Sequence, residues 1–457
     1  MNPTGTDDPG PEGRAWPAPE VVDFVRDIPL YRPALDRGHF PVLEKPEIAC
    51  GFPDNWMTPR LAAALAAGEA EYVLSTGTNH ARMRLIRPPY FLLHSYYRLW
   101  SEHPAISATW RAGCQRVSLT TVLATEHVAR VNARRRTGNP TPDPDPGPDQ
   151  GPDQGPGPAA IEHLTLEERR LDERTVYLNR RLDPGRDWDR AEVVRILAEI
   201  RRVAAAHPEG AYHLDCSGYH LAHLVRHARA LGLWDPARFP RPASIVHAYE
   251  YTPLTVRRYL RRHFDCPVVD LFGSTELGYL FHGDGEGRYH PHLADMSVEL
   301  LPVAPGSGIH SLIVTSLRNP HMPLVRYRSG DCVRTEDGSA DPTRIVSFCG
   351  REKELLAGPD GPVAHGDLDA LVAEHAPGTF LARLDLPADD APRGTRAVLR
   401  HTTFDGAPTP AGPADRLATA VGALIGRPTT LAHHEHLPIG PSGKYPWLRR
   451  TPRGDTA

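Results

Sequence analysis

Val268-Val269-Asp270-Leu271-Phe272-Gly273-Ser274-Thr275-Glu276-Leu277-Gly278 is the stretch whose reading decides the rest of this sequence. A short apolar run ends in a glycine, followed by two hydroxyls, a carboxylate and a second glycine. The apolar run predicts a buried strand. Gly273 lets the backbone turn sharply and lets a ligand approach it closely. Ser274 and Thr275 offer hydroxyls to a phosphate or a carbonyl, and Glu276 offers a carboxylate to a metal ion. Taken alone, the same residues read as a strand with an ordinary polar turn.

Working outward, Ser244 to Ala248 predicts a second strand, Tyr249-Glu250-Tyr251-Thr252-Pro253 a turn, and Thr255 to Phe264 a basic helix. Strand–turn–helix–strand is the grammar of an α/β sheet, where ligands collect beyond the carboxyl ends of the strands. The turns at Glu250 and Gly273 are therefore expected side by side. Helical periodicity is also read over 189–206 and 219–231. The second of these carries His220, His223 and His227, which read better as packed or solvated histidines than as ligands, since HExxH is missing. Further upstream, Glu71 to Leu74 predicts a strand running into Ser75-Thr76-Gly77-Thr78, a hydroxyl-rich loop able to cradle phosphate. It is not a Walker loop, because GxxxxGK[ST] is absent, and an ordinary loop is the alternative. Phe40 to Pro46, which contains Lys45, is expected to be extended.

Downstream of the central stretch the pattern becomes β-rich. Arg326-Tyr327-Arg328-Ser329-Gly330-Asp331 predicts a glycine turn presenting an aspartate that can accept two hydrogen bonds from a ribose diol; alone, it reads as a surface hairpin. Gly350-Arg351-Glu352-Lys353 reads as a junction. Near the end, Lys444 stands in a Gly/Ser/Pro loop from which it can swing and deliver charge to a phosphate.

Composition narrows the classes. A chain of 457 residues holds two or three domains. With a net charge of −4 there is no electrostatic case for nucleic acid, and no apolar run suggests a membrane span. Six cysteines without a CxxC pair point to a reducing, cytoplasmic setting. Residues 1–18 and the Pro/Asp/Gly/Gln stretch 139–158 cannot bury apolar surface and are expected to be disordered. Of 52 basic residues only Lys45, Lys353 and Lys444 are lysines. A lysine that survives such a bias is a candidate for a site needing a compact point charge.

Together these segments resemble, from about Phe40 to Lys444, the adenylate-forming superfamily (acyl-CoA synthetases, peptide-synthetase adenylation domains, luciferases), and within it the phenylacetate-CoA ligase-like branch. Ser75-Thr76-Gly77-Thr78 is similar to the start of the family's phosphate loop, Glu250 to the acidic residue before its adenine strand, Phe272-Gly273-Ser274-Thr275-Glu276 to its aromatic-GSTE motif, and Arg326 to Asp331 to its RYRTGD motif. Gly350-Arg351 and Lys353 fall on its inter-domain junction and hinge, and Lys444 on its mobile catalytic lysine. Lys45 sits in a segment similar to the branch's LPxxxK.

The resemblance implies an α/β protein: a large N-terminal domain of stacked β-sheets flanked by helices (19–350) and a small mobile α+β C-terminal domain (351–457). It implies ATP-dependent activation of a carboxylic acid through an acyl-adenylate, with pyrophosphate released, and then transfer to CoA, a carrier-protein phosphopantetheine thiol or an amine. Thr275 would contact the α-phosphate or acyl carbonyl, Glu276 would hold Mg²⁺, Asp331 would bind the ribose with Arg351, and Lys444 would bridge carboxylate and phosphate. Tyr249, Tyr251, Phe272 and Tyr279 flank the two central turns and are the pocket candidates for an aromatic or compact acid. Relatives sometimes carry a Cys/His site, which makes His282, His290, Cys332 and Cys349 candidates for structural zinc. After Thr78 the family's second Thr-Gly is replaced by Asn79-His80, which bears on the grip on the β- and γ-phosphates; the glycine-rich loop after the hinge is altered too, at Leu355 to Gly361, so the resemblance supports adenylation more firmly than CoA as acceptor. The alternative is a degenerate member that binds nucleotide or a partner without catalysis.

Overall fold

The computed structural model describes residues 18–74, 83–137, 161–207, 210–236, 239–283, 288–294, 296–388, 394–440 and 442–450. The expected phosphate loop at Ser75 to Thr78, residues 1–17 and the 139–158 stretch lie outside the described residues.

Strands Glu71–Leu74 (β1) and Arg84–Arg87 (β2) form a small antiparallel ladder. Seven strands build the central sheet: Gln115–Leu119 (β3), Thr175–Tyr177 (β4), Tyr212–Cys216 (β5), Ser244–His247 (β6), Val268–Ser274 (β7), Gly278–Gly283 (β8) and Tyr289–Pro291 (β9). Their order is β4-β3-β5-β6-β7-β8-β9, parallel as far as β7 and antiparallel beyond it. A parallel sheet is covered on both faces, so its strands carry apolar residues on both. Helices Phe91–Glu102 (α1) and Pro104–Arg111 (α2) cover one face, where Leu99, Trp100, Ile106 and Trp110 pack on Val246, Val269 and Leu271. Arg190–Ala205 (α3), Gly218–Ala230 (α4) and Leu254–Arg261 (α5) cover the other, against Val117, Leu119, Leu214 and Ile245. The stripe that buries α3 is Val193, Ile196, Leu197, Ile200, Val203 and Ala204, at helical spacing. Its first turn is capped by Asp189, which accepts from the Glu192 N–H at 2.8 Å.

Met296–Pro302 (β10), Ile309–Ser316 (β11), Leu324–Thr335 (β12) and Ile345–Arg351 (β13) form an antiparallel sheet whose core is shared with Tyr31, Ile48, Trp56 and Leu61 of the N-terminal segment. Two readings of the sequence change here. The Ser329-Gly330-Asp331 segment is not a turn: it lies inside β12 as a bulge, with Gly330 at φ +76°. Register slips at this point, since Ile313 opposes Arg328 while Ser311 opposes Cys332. Such a bulge re-aims the side chain that follows it, here Asp331. The expected extended stretch at Phe40 to Pro46 is extended only as far as Glu44, and its Leu43 pairs with β12 through Leu43 N–H to Arg326 C=O (2.9 Å) and Arg328 N–H to Leu43 C=O (2.8 Å). A single helical turn, Lys45–Ala49, follows and projects Lys45.

Beyond β13 a short turn, Glu352–Glu354, leads to the hairpin Leu356–Gly358 (β14) and Gly361–Val363 (β15). A last sheet joins Thr379–Leu386 (β16), Ala397–Thr403 (β17), Thr429–His433 (β18) and Leu448–Arg450 (β19) in the order β18-β17-β16-β19. Helices His365–His375 (α6) and Ala411–Ile425 (α7) pack on it around Leu368, Val372, Leu384, Leu399, Leu417 and Val421. Among the described residues no helix is long and apolar enough to cross a membrane.

Candidate active site

Strands β6 and β7 are parallel neighbours, with Val246 opposite Val269, so the turns that follow them open at the same end of the sheet. From β7 the chain passes through Thr275-Glu276-Leu277 into β8. Ser274 Oγ accepts from the Leu277 N–H at 3.2 Å and shapes this turn. A Cβ on Gly273 would meet the Gly278 carbonyl oxygen at 2.4 Å, so the hairpin closes only around glycine.

Glu276 is buried, and Lys45 Nζ lies 3.1 Å from its Oε1. Burial pushes the Glu276 carboxyl upward, but the Lys45 charge and hydrogen bond, a backbone hydrogen bond and the Arg351 charge together hold the group below its ordinary value. Asp331, delivered by the β12 bulge, is also buried; Arg351 Nε stands 3.2 Å from its Oδ1. Arg351 is braced in turn by the Ser329 carbonyl at 3.1 Å. Asp331 Oδ2 is buried with no hydrogen-bond partner among the described residues, and so is the Tyr327 hydroxyl. Burial raises the Asp331 carboxyl despite Arg351.

The lysine loop comes from the C-terminal part of the chain. Gly440 N–H donates to the Lys444 carbonyl (2.8 Å) and Gly443 N–H to the Gly440 carbonyl (2.9 Å), which makes a tight turn. Gly443 has φ +71°, and a Cβ there would stand 1.9 Å from Thr121 Oγ1. The loop is held by Glu250: its Oε2 accepts from the Tyr445 N–H at 3.0 Å, and its Oε1 from Ser217 Oγ at 2.5 Å. Burial pushes the Glu250 carboxyl up to about 7. His223, kept neutral by burial, meets the Tyr445 hydroxyl at 2.9 Å, so this histidine is packed, as read from the sequence. Burial lowers the pKa of the Lys444 ammonium, which feels Glu250, Arg351, Asp331 and Glu276. One end of the sheet thus gathers Lys45, Glu250, Thr275, Glu276, Asp331, Arg351 and Lys444.

Not every expected residue joins this group. Tyr249 and Tyr279 do converge, both on Tyr96, with ring centroids 6.4 and 4.0 Å away. Tyr251 instead turns to the C-terminal part, donating to Asp369 Oδ2 at 2.8 Å and packing on His365. Phe272 stacks on Phe348 at 3.6 Å within the core beneath the second sheet. The expected zinc ligands do not assemble: among the described residues no group of three or more His, Cys, Asp or Glu could hold a metal. His282 and His290 oppose each other on β8 and β9, whereas Cys332 and Cys349 are buried with Ile309 and Ala364. Lys353 sits in the turn after β13, between Glu352, which accepts from Arg328, and Glu354, which accepts from Trp447.

Two participants were absent from the expected site. Lys45 stood out in the sequence as a rare lysine in a segment similar to the LPxxxK of the phenylacetate-CoA ligase-like branch, with no role assigned. Tyr327 lies inside the Arg326–Asp331 motif, and burial raises the pKa of its hydroxyl beside Glu276, Arg351 and Asp331.

No family model matches the chain, and no curated protein matches its sequence. Solved structures do. With 2-hydroxyisobutyryl-CoA ligase in the postadenylation state, in complex with R3-HIB-AMP, the TM-score is 0.62 at 12% identity, over 94% of this chain and 87% of that one. The same enzyme in complex with 2-HIB-AMP gives 0.61 at 13% identity, over 94% and 87%. At such identity the likeness concerns the fold: this chain has the α/β, acyl-CoA synthetase-like fold of the adenylate-forming enzymes.

Proposed function

We propose that this chain, built on that fold, is an AMP-forming acid ligase of the adenylate-forming superfamily, in its phenylacetate-CoA ligase-like branch. A substrate carboxylate oxygen attacks the α-phosphate of ATP; the bond to the β-phosphate breaks, and acyl-adenylate and pyrophosphate result. A thiol of CoA or of a carrier-protein phosphopantetheine, or an amine, then attacks the acyl carbonyl and AMP leaves.

The observation that carries this reading is the approach of Lys444, from one part of the chain, to a pocket wall made by Glu250, Glu276, Asp331 and Arg351 from the other. The open Oδ2 of buried Asp331 suits a ribose hydroxyl that must replace water. Glu276 is a single buried carboxylate, and Mg²⁺ characteristically takes one or two carboxylates together with substrate phosphates; when bound, the ion supplies electrostatic neutralisation of the leaving pyrophosphate. In this reading Thr275, in the same turn, orients the α-phosphate or the acyl carbonyl, beside Gly273 and Ser274. Lys444 neutralises charge between carboxylate and phosphate, as a preorganised donor does. Ser75, Thr76, Gly77 and Thr78 complete the reading as the phosphate loop.

In this reading residues 19–350 form the large domain and 351–457 the small one, and Lys353 is the hinge about which the small domain turns between half-reactions. The six cysteines are free, in keeping with a reducing compartment.

The test is pyrophosphate release from ATP and Mg²⁺ across a panel of acids, without CoA and with hydroxylamine as trap. Release with a particular acid, lowered roughly 10²-fold in Lys444→Ala, is the expected result. Folded protein that binds ATP but releases nothing with any acid would overturn the reading.

A further inference from the structure

The face of the central sheet beneath α1 is apolar at β6 and β7 but polar at β3 and β5. Arg116 and Ser118 of β3 stand opposite His213 and Asp215 of β5. Arg116 Nη2 lies 2.9 Å from Asp215 Oδ2, and neither side chain has any exposed surface. The guanidinium is boxed by rings of α1, with its carbon 5.0 Å from the Tyr96 centroid, 5.9 Å from Tyr97 and 5.7 Å from Trp100. The Tyr249 hydroxyl donates to Asp215 Oδ2 at 3.4 Å.

What this cluster leaves open is informative. Among the described residues, Arg116 Nε and Nη1, Asp215 Oδ1, Ser118 Oγ and Trp100 Nε1 are all buried without a hydrogen-bond partner. Buried polar atoms are almost always satisfied, so several orphans in one place ask for a polar occupant. The cluster also connects to the site by shared residues. Tyr249 directly precedes Glu250, Tyr279 directly follows Gly278, and both rings meet Tyr96 over the guanidinium.

Charge decides the class of occupant. Arg116 is already neutralised by Asp215, so a second carboxylate would set two anions against one cation in a dry site. A plain hydrocarbon would leave every orphan unpaired. A hydroxyl does both jobs, accepting from an Arg116 N–H and donating to Asp215 Oδ1. We infer that the acid activated here carries a hydroxyl on its tail, read by Arg116 and Asp215, with Tyr96, Tyr249 and Tyr279 as the wall that leads it there. The inference rests on the ligase reading above and narrows its substrate to compact hydroxylated carboxylic acids.

Matched pairs test it on the full chain: hydroxybenzoates against benzoate, hydroxypropanoates against propanoate, with phthalates as dianions. Pyrophosphate release is measured with ATP, Mg²⁺ and the hydroxylamine trap. At least one hydroxylated acid is expected to exceed its deoxy twin by about 10²-fold or more in kcat/KM, since a site built to bond a hydroxyl rejects the analogue without it. Equal use of the twins, or preference for a dianion, overturns the inference. In Asp215→Asn, and in the charge-free pair Arg116→Met with Asp215→Leu, the ratio should collapse. A merely structural ion pair would lower both twins together and leave the ratio intact, which also overturns it. Should these variants not fold, the wild-type ratios alone decide. If no acid releases pyrophosphate, the ligase reading falls; calorimetric binding of the same twins then judges the pocket separately, and equal affinities overturn the inference too.

Discussion

Lys45 holds its ammonium 3.1 Å from the buried carboxylate of Glu276, joining the N-terminal segment to the turn after β7. The tether is short. Leu43, two residues earlier, is hydrogen-bonded on both sides to β12, the strand that also delivers Asp331. Lys45 is therefore fixed relative to Asp331, while its side chain remains about a third exposed.

Replacing Lys45 by Ala should lower pyrophosphate release about 10²-fold or more, the scale for losing a preorganised charge donor. Lys45→Arg should recover little, because a planar fork cannot replace a compact ammonium. Initial rates over a Mg²⁺ titration give the measurement; a Lys45→Ala rate within twofold of wild type at every Mg²⁺ concentration would remove the residue from the chemistry.

Asp331→Ala should raise the KM for ATP by roughly 10- to 100-fold, with a smaller change in kcat, because hydrogen bonds to a charged group are worth about 1.5–3 kcal/mol. Nucleotide affinity by calorimetry reads the same loss directly. An unaltered affinity would mean that the open Asp331 oxygen does not face the nucleotide.

Gly443→Ala should reduce adenylation as severely as removing Lys444 itself. The new Cβ would collide with Thr121 Oγ1, and the backbone there is left-handed. The melting temperature should hardly change, since the strain can be relieved by undocking the loop. Adding Thr121→Ala to the same chain should restore part of the rate; a full rate in the single variant would show that the loop need not sit there.

Glu250 sets a pH dependence. Its carboxyl is pushed by burial to about 7 in the folded protein, above its ordinary value of 4.5. The folded state then binds more protons than the unfolded state between these values, so stability falls as pH rises from about 4.5 through about 7 and levels off above. Glu250→Gln should remove this component of the slope. Thermal melts between pH 4.5 and 8 measure it, and equal slopes in the two proteins would count against a buried, titrating Glu250.

Much of the site was legible because its residues sit in short local patterns. The hydroxyl-carboxylate turn after β7, the acidic turn after β6 and the glycine-flanked lysine each mark a strand end or a loop. What the sequence hid is direction. Tyr251 and Phe272 flank the central turns as closely as Tyr249 and Tyr279 do, yet one faces Asp369 and the other Phe348. A one-residue step along a strand reverses the face, and turn geometry decides the rest. The β12 bulge is a second case, since Ser-Gly-Asp promises a turn equally well whether the chain reverses or merely slips register. The Arg116–Asp215 pair was invisible for another reason: each residue sits in a strand of mixed polarity, and only the register of β3 against β5 brings them together.

Glu250 grips the lysine loop through a peptide N–H rather than a side chain. The Tyr445 position can therefore drift among nineteen of the twenty amino acids without losing that contact, and proline alone is barred because it has no N–H to give. The hold on Lys444 is in this sense partly written into the main chain, beside the contact of the Tyr445 hydroxyl with His223.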